Sequence, residues 1–364
     1  MLNFALSKQQ KMVKKEVAKL VKDLVTENAH DMDESGEIPE DSIRKAWDLG
    51  VSVSSVEECY GGFGMDDSPL ETSLVLEELA YGDMAFAIAV TTPSLFINPV
   101  SRMGTDAQKE KYLPQFCKET FAPCTLAINE PHFGFDAMDL KTTAEKKGDN
   151  YVLNGKKGFV PLAAKASHIL LAAAEEGRNQ LFIVAADNPG LTVGEREKTL
   201  GCYALEMYPV ILENCEVPAD DKLGGPDGCD YGSLLQRSRV AMAAIATGMV
   251  NASYEFAREY AKTREQFGEP IAHRQSIAFM LAEMAYEVDA IRLMAWKAAS
   301  KLEAGQDATR EAYLAKMYAG EMAMKMADYG VQIMGGHGYI REYPVERYYR
   351  NARAIANLEA LATV

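Results

Sequence analysis

Three textures of apolar and polar positions follow one another along the 364-residue chain. In residues 1–122 the apolar positions recur at helical spacing. In SLVLEELAYGDMA, for instance, Leu74, Leu76, Leu79 and Met84 fall near one stripe. Glycine and proline interrupt this zone at YGGFG, Tyr60 to Gly64, and at TTPSLFINP. In residues 123–230 the helical period gives way to short apolar runs, HILLAAA, QLFIVAA and YPVILENCEV, set between turn-rich stretches such as ADNPG and PADDKLGGPDG. KKGDNYVLNGKKGFV predicts a hairpin with its turn at Asn154-Gly155, a dipeptide that suits a type I′ turn. In residues 231–364 long helices return. Ile277, Met280, Leu281, Met284, Val288, Ile291 and Ala295 keep the 3.6-residue period, and a second helix is predicted from about Ala308 to Met334, stopped by Gly335-Gly336. The expected architecture is α+β: a helical domain over 1–122, a β domain over 123–230 and a helical bundle over 231–364.

Composition narrows the function. A net charge of −15 argues against nucleic acid or an anionic membrane surface as partner. Apolar runs stay short of the ~18–20 residues that a membrane span needs. The opening MLNFALSKQQKMVKKEVAKL reads as the first helix of the fold and lacks the small-residue cleavage site of a signal peptide. Six scattered cysteines without a CxxC pair, and five histidines without HxxxH, give no metal-ligand spacing. A reducing, cytoplasmic setting is the expectation.

Dinucleotide GxGxxG and Walker A loops are absent, and YGGFG, which lacks their spacing, reads as a loop or cap. His132 and His168 read as solvated or internally satisfied. Two stretches carry more. In YAKTREQFGEPIAHRQSIAFMLAEMA a helix ends near Arg264 and the next begins about Gln275, which places Arg264 and Phe267 at an exposed corner. Arginine's fork suits phosphate. In VQIMGGHGYIREYPVERYYRNAR, Gln332 occupies a last helical turn, and Gly335 and Gly336 permit close backbone approach to a ligand. Taken singly, either stretch also reads as a plain helix–helix connection.

Taken together, and with LEELAYGDMA, AINEPHFGFD, AEKKGDNYVLNGKKGFV and LENCEVPADDKLGG in the same order, they resemble the acyl-CoA dehydrogenase family over almost the whole chain. The resemblance implies FAD in a cleft between the β domain and the C-terminal helices, with its ADP half reaching a neighbouring subunit. Arg264, Phe267, Gln332, Gly335 and Gly336 match the ADP-contacting motifs, so a dimer or a tetramer of dimers is implied. Asn129, Phe159 and Pro161 match positions around the flavin ring, and Arg239 and Phe135 are the candidate contacts for an acyl-CoA substrate. Glu359 falls on the family's base position after Asn351-Ala352-Arg353. It would remove the α-proton of an acyl thioester while the β-hydrogen leaves as hydride to the flavin. Burial would raise its pKa toward working pH. Members with the base on an earlier helix would need it at Ser238, which disfavours that variant. Reduced flavin would pass its electrons to an electron-transfer flavoprotein.

Departures from the family pattern gather at the ring. Asn129 replaces threonine, Phe135 serine, Phe159 tryptophan and Pro161 threonine, and LEAL, Leu358 to Leu361, replaces Y-E-G-T. Proline offers neither hydroxyl nor N–H. The family also continues into a further helix where this sequence stops. Three readings follow: a working FAD-dependent dehydrogenase, a cofactor-poor subunit completing a sister chain's site in a heterotetramer, or a non-redox acyl-CoA enzyme on the same fold.

Overall fold

The computed structural model describes residues 5–118 and 120–364. Of the segment read as the opening helix, residues 1–4 lie outside the described residues. The helix itself, α1 (Lys8–Val21), starts behind Ser7, whose hydroxyl accepts from the Gln10 N–H while the Gln10 side chain accepts from the Ser7 N–H. That reciprocal box satisfies two otherwise orphaned donors. The N-terminal helices continue as α2 (Ala29–Ser35), α3 (Glu40–Trp47), α4 (Pro69–Gly82), α5 (Met84–Thr91), α6 (Ser94–Met103) and α7 (Asp106–Phe116). The stripe predicted from Leu74 to Met84 is broken. Asp83 is extended (φ −161°), and its carboxylate caps α5 by accepting from the Phe86 N–H at 2.9 Å. All eight residues of α5 are buried, so this segment is core on every side rather than amphipathic.

The middle zone folds as a curled sheet of β1 (Thr125–Ala127), β2 (Thr143–Lys147), β3 (Asn150–Pro161), β4 (His168–Glu175), β5 (Arg178–Ala185), β6 (Leu191–Val193) and β7 (Met207–Pro218), in the order β1-β4-β2-β3-β7-β6 with β5 on β4. A hairpin does form, but its turn is not at Asn154-Gly155. Lys147 pairs with Asn150 across Gly148-Asp149, and Gly148 has φ +62°, the conformation a two-residue turn requires at its first position. Asn154-Gly155 instead forms a bulge inside β3, at the register shift between Leu153 and Gly155 against β7. Asn154 Oδ1 accepts from the Asn214 N–H at 2.8 Å. At Gly155 (φ +151°) a Cβ would stand 2.6 Å from Thr142 Oγ1, so only glycine fits.

A Ser233 N–H donated to Asp230 caps α8 (Tyr231–Thr263), which threads the centre of the molecule. After a two-stranded link, β8 (Glu265–Gln266) and β9 (Glu269–Pro270), come α9 (Gln275–Glu303), α10 (Thr309–Met334), α11 (Gly336–Tyr339) and α12 (Val345–Asn357). Residues from Val240 to Ala246 on α8 are at most 2% exposed, and α8 packs on α4, α9, α10 and α12. Residues 358–364 do not fray. They leave α12 as an irregular segment in which Leu361 and Ala362 are fully buried, and Arg237 Nη1 donates to the Val364 carbonyl at 3.0 Å. All six cysteines are unpaired thiols. Among the described residues no single helix is long and apolar enough to cross a membrane.

Candidate active site

Glu359 leaves α12 two residues past its end, with its side chain 14% exposed. Arg239 on α8 brings Nε and Nη2 to 3.4 and 3.3 Å of the carboxylate, and Lys316 on α10 brings Nζ to 3.4 Å. The environment expected from sequence was burial alone; two cations face the group instead. Arg239 also lies over the Tyr313 ring at 5.3 Å, a cation–π contact that adds to the hold on the guanidinium. Lys316 was not legible as a site residue. Its signal was a lysine set in the apolar run Ala312, Ala315, Ala319 and Ala323 of α10, all fully buried. Tyr231 stands close by and donates to the Ala137 carbonyl at 2.7 Å; burial, then the Glu359 charge, pushes its phenol upward.

Asn129 follows β1 and is buried. Its Nδ2 donates to the Glu359 carbonyl at 2.7 Å, and its Oδ1 accepts from the Glu359 N–H at 2.9 Å. Phe135 packs against the cluster that contains Ala360, and Phe159, half-buried with φ +54°, against the cluster that contains Leu358 and Leu361. Pro161 is buried at the end of β3 opposite Met207. Ser238 is buried beside Arg239, and its hydroxyl has no partner.

Behind this face lies a buried ion pair. Lys157 Nζ donates to Glu130 at 2.8 Å and to the Ile128 carbonyl at 3.2 Å. Glu130 also accepts from the Thr142 hydroxyl and N–H and the Lys141 N–H. Burial pushes the Glu130 carboxyl up, but Lys157 and these donors outweigh it and hold it down to about 2. Burial pulls Lys157 down to about 8 against the attraction of Glu130. His132 leans on the same carboxylate, with Nε2 at 3.1 Å. His168 sits edge-on to Tyr112 and Phe116, with Nδ1 3.2 Å from Ser167 Oγ.

A second group stands at the far ends of α8 and α10. Arg264, Phe267, Gly335 and Gly336 line one hollow together with Tyr260, Arg274 and His337. Phe267 is 92% exposed, and Arg274 stacks on its ring at 5.5 Å. Gln332 is exposed in the last turn of α10 and does not line this hollow, although its carbonyl accepts from the Gly335 N–H. Arg274 lay within the motif read from sequence but is single and unspaced there; stacking on Phe267 reveals it.

Family models for the N-terminal, middle and C-terminal domains of acyl-CoA dehydrogenase match residues 7–120, 125–215 and 231–359. The chain belongs to the acyl-CoA dehydrogenase family. A probable acyl-CoA dehydrogenase of Bacillus subtilis, YngJ, is 35% identical over 362 residues, 97% of this chain and 94% of that one. Butyryl-CoA dehydrogenase from Megasphaera elsdenii superposes with a TM-score of 0.89 at 33% identity, covering 100% of this chain and 96% of its own. A chain in a structure described as an electron-transferring flavoprotein of Acidaminococcus fermentans gives 0.89 at 32% identity, with the same coverage. As an acyl-CoA dehydrogenase the chain is a flavoprotein oxidoreductase acting on CH–CH bonds, and its cofactor is FAD.

The hollow at Gly335 has the chemistry of a phosphate site. Arg264 and Arg274 supply charged forks, and an ideal Cβ at Gly335 or Gly336 would meet nothing within 4 Å, leaving backbone open to a ligand. Around Glu359 the residues offer few free donors. Phe135 and Phe159 offer apolar surface, while the Asn129 amide is occupied by Glu359 and Pro161 has no N–H.

Proposed function

We propose that the chain catalyses α,β-dehydrogenation of an acyl-CoA thioester, with Glu359 as the base. The observation that carries this reading is the convergence of Arg239 from α8, Lys316 from α10 and the Asn129 amide on one carboxylate residue from the end of α12. The α-proton of a thioester is weakly acidic, so its removal needs a carboxylate held at a fixed point. Arg239 and Lys316 orient the Glu359 carboxylate, while the buried segment that follows keeps it from swinging away. FAD, when bound, supplies the acceptor for the hydrogen and electron pair leaving the β-carbon. Phe135 and Phe159 wall the site against water, and Arg239 stands where a substrate would pass.

Arg264, Arg274, Phe267, Gly335 and Gly336 of the hollow are the proposed contacts for the ADP half, with Gln332 exposed outside it in the last turn of α10. Arg239 and Arg264 are 25 positions apart, and α8 runs helical to Thr263, so about 37 Å of helix separates them at 1.5 Å per residue. One dinucleotide does not serve both points in one protomer, which supports a homodimer or homotetramer with the ADP site completing a neighbour's cofactor. An electron-transfer flavoprotein is the proposed acceptor of the electrons.

The occupied Asn129 amide and donorless Pro161 favour one second reading, a subunit that holds no ring itself and completes a sister chain's site. Purification alone separates the two. The first reading predicts a yellow protein with about one flavin per chain that an acyl-CoA panel bleaches anaerobically. A colourless chain that acquires flavin only on co-expression with a sister subunit overturns it.

A further inference from the structure

We infer that His337 is a further contact for the phosphates of the cofactor, with its proton held on Nε2 by Tyr260. This rests on reading the Gly335 hollow as the ADP site. Among the residues that line the hollow are Arg264, Arg274 and His337, and none is an aspartate or glutamate. In a chain with a net charge of −15, a space lined by donors and free of acids suits an anion. Arg264 follows the end of α8, Arg274 precedes α9, and His337 belongs to α11. Three elements thus converge on one space. Arg274 also meets Glu269 at 3.1 Å, which offsets part of its charge and leaves Arg264 and His337 as the less committed pair.

The imidazole is tied at one nitrogen only. Tyr260 Oη stands 2.6 Å from His337 Nδ1. The ring meets Tyr260 edge-on with centroids 5.9 Å apart, and Tyr343 from the link to α12 at 5.3 Å. Among the described residues the Tyr260 hydroxyl has no other partner, so it donates to Nδ1 of the neutral ring. The ring's own proton then sits on Nε2. That N–H has no partner among the described residues, on a half-buried side chain that lines the hollow. A phosphate oxygen supplies what it lacks. The pair divides the work: Tyr260 sets the tautomer, and His337 presents the donor. A hydrogen bond to a charged group is worth about 10- to 100-fold in affinity.

The test is a competition on holoenzyme. FAD released into an ultrafiltrate is measured as ADP or adenosine is added. Within one variant the ratio of the two half-displacing concentrations does not depend on how tightly that variant holds FAD, so it isolates the phosphates. A chain that purifies without flavin gives the same ratio from calorimetric titration with each compound. His337→Phe keeps the aromatic packing and is expected to cut the preference for ADP about 10- to 100-fold. His337→Gln, whose amide donates from the place of Nε2, is expected to stay within about fivefold of the wild type. Tyr260→Phe is expected to cut the preference about 2- to 10-fold. An unchanged ratio in His337→Phe overturns the inference. So does an equal loss in His337→Gln, which would make the ring a packing element. An unchanged ratio in Tyr260→Phe strikes out the part assigned to its hydroxyl. Should His337→Phe fail to fold, His337→Asn decides, since its amide reaches only the place of Nδ1. A reduced ratio there supports the inference, and the wild-type ratio removes it. Arg264→Ala separates the two readings. An unchanged ratio in that variant removes the ADP site itself. A ratio reduced there but untouched in His337→Phe removes only the role of His337.

Discussion

Glu359 could be numbered from sequence by counting past Asn351-Ala352-Arg353, but its surroundings could not. Lys316 and Arg239 lie 43 and 120 positions away, and nothing local in either helix marks them as partners. Asn129 was visible only as a departure from a threonine; its engagement 230 positions downstream is a tertiary fact. At this scale Ala360 is one of the non-glycine residues held at positive φ. Glycine takes φ +55° freely, which offsets about 1–2 kcal/mol of left-handed cost, against about 0.4–1 kcal/mol for the looser unfolded chain. Ala360→Gly is therefore expected to raise stability by about 0.5–1 kcal/mol, read as a higher urea midpoint at constant slope. A lower midpoint would mean that the alanine methyl packs more usefully than the strain costs.

Among the elements, existence was more legible than junctions. The runs HILLAAA, QLFIVAA and YPVILENCEV are β4, β5 and β7, since continuous apolar runs flanked by turn residues leave few alternatives. The hairpin turn was misplaced because KKGDNYVLNGKKG holds two plausible turn dipeptides. Pairing with β7 through both halves of β3 decides for Gly148-Asp149 and turns Asn154-Gly155 into a bulge. The helical stripe through Met84 failed for a similar reason: Asp83 is at once part of the pattern and the cap of the next helix.

The Glu130–Lys157 pair knits this sheet together and gives an element-scale prediction. Lys157→Met strands a buried carboxylate and is expected to cost about 3–5 kcal/mol in denaturant unfolding, of which Glu130→Gln in the same chain recovers more than half. Glu130 is depressed from 4.5 to about 2 in the fold, so its contribution is full above about pH 4.5 and is lost as the pH falls toward 2. That acid loss should be weaker in Lys157→Met than in the wild type. Lys157 is depressed from 10.5 to about 8, so its contribution rises between those values as the pH increases. An acid limb unchanged by Lys157→Met would count against the pair as its source.

At the scale of the whole molecule, the three zones were legible because their periodicities differ; what the surfaces do was not. Phe279, Tyr286 and Leu293 lie seven residues apart along α9 and are all exposed, an apolar stripe that a solitary protomer would leave in water. With the ~37 Å between Arg239 and Arg264, this supports association. The protein is expected to run as a dimer or tetramer by light scattering, and Phe279→Glu with Leu293→Glu is expected to reduce it to a smaller species. Wild-type mass in that double variant would place the interface elsewhere.

The central claim, that Glu359 takes the α-proton in an FAD-dependent dehydrogenation, is tested most directly by one anaerobic comparison. Wild type and Glu359→Gln, matched for flavin per chain, are mixed with the acyl-CoA thioester that bleaches the wild-type flavin fastest. The account predicts rapid loss of the oxidised flavin band in the wild type and a rate at least about 10³-fold lower in the variant. Bleaching at a comparable rate in Glu359→Gln would contradict it.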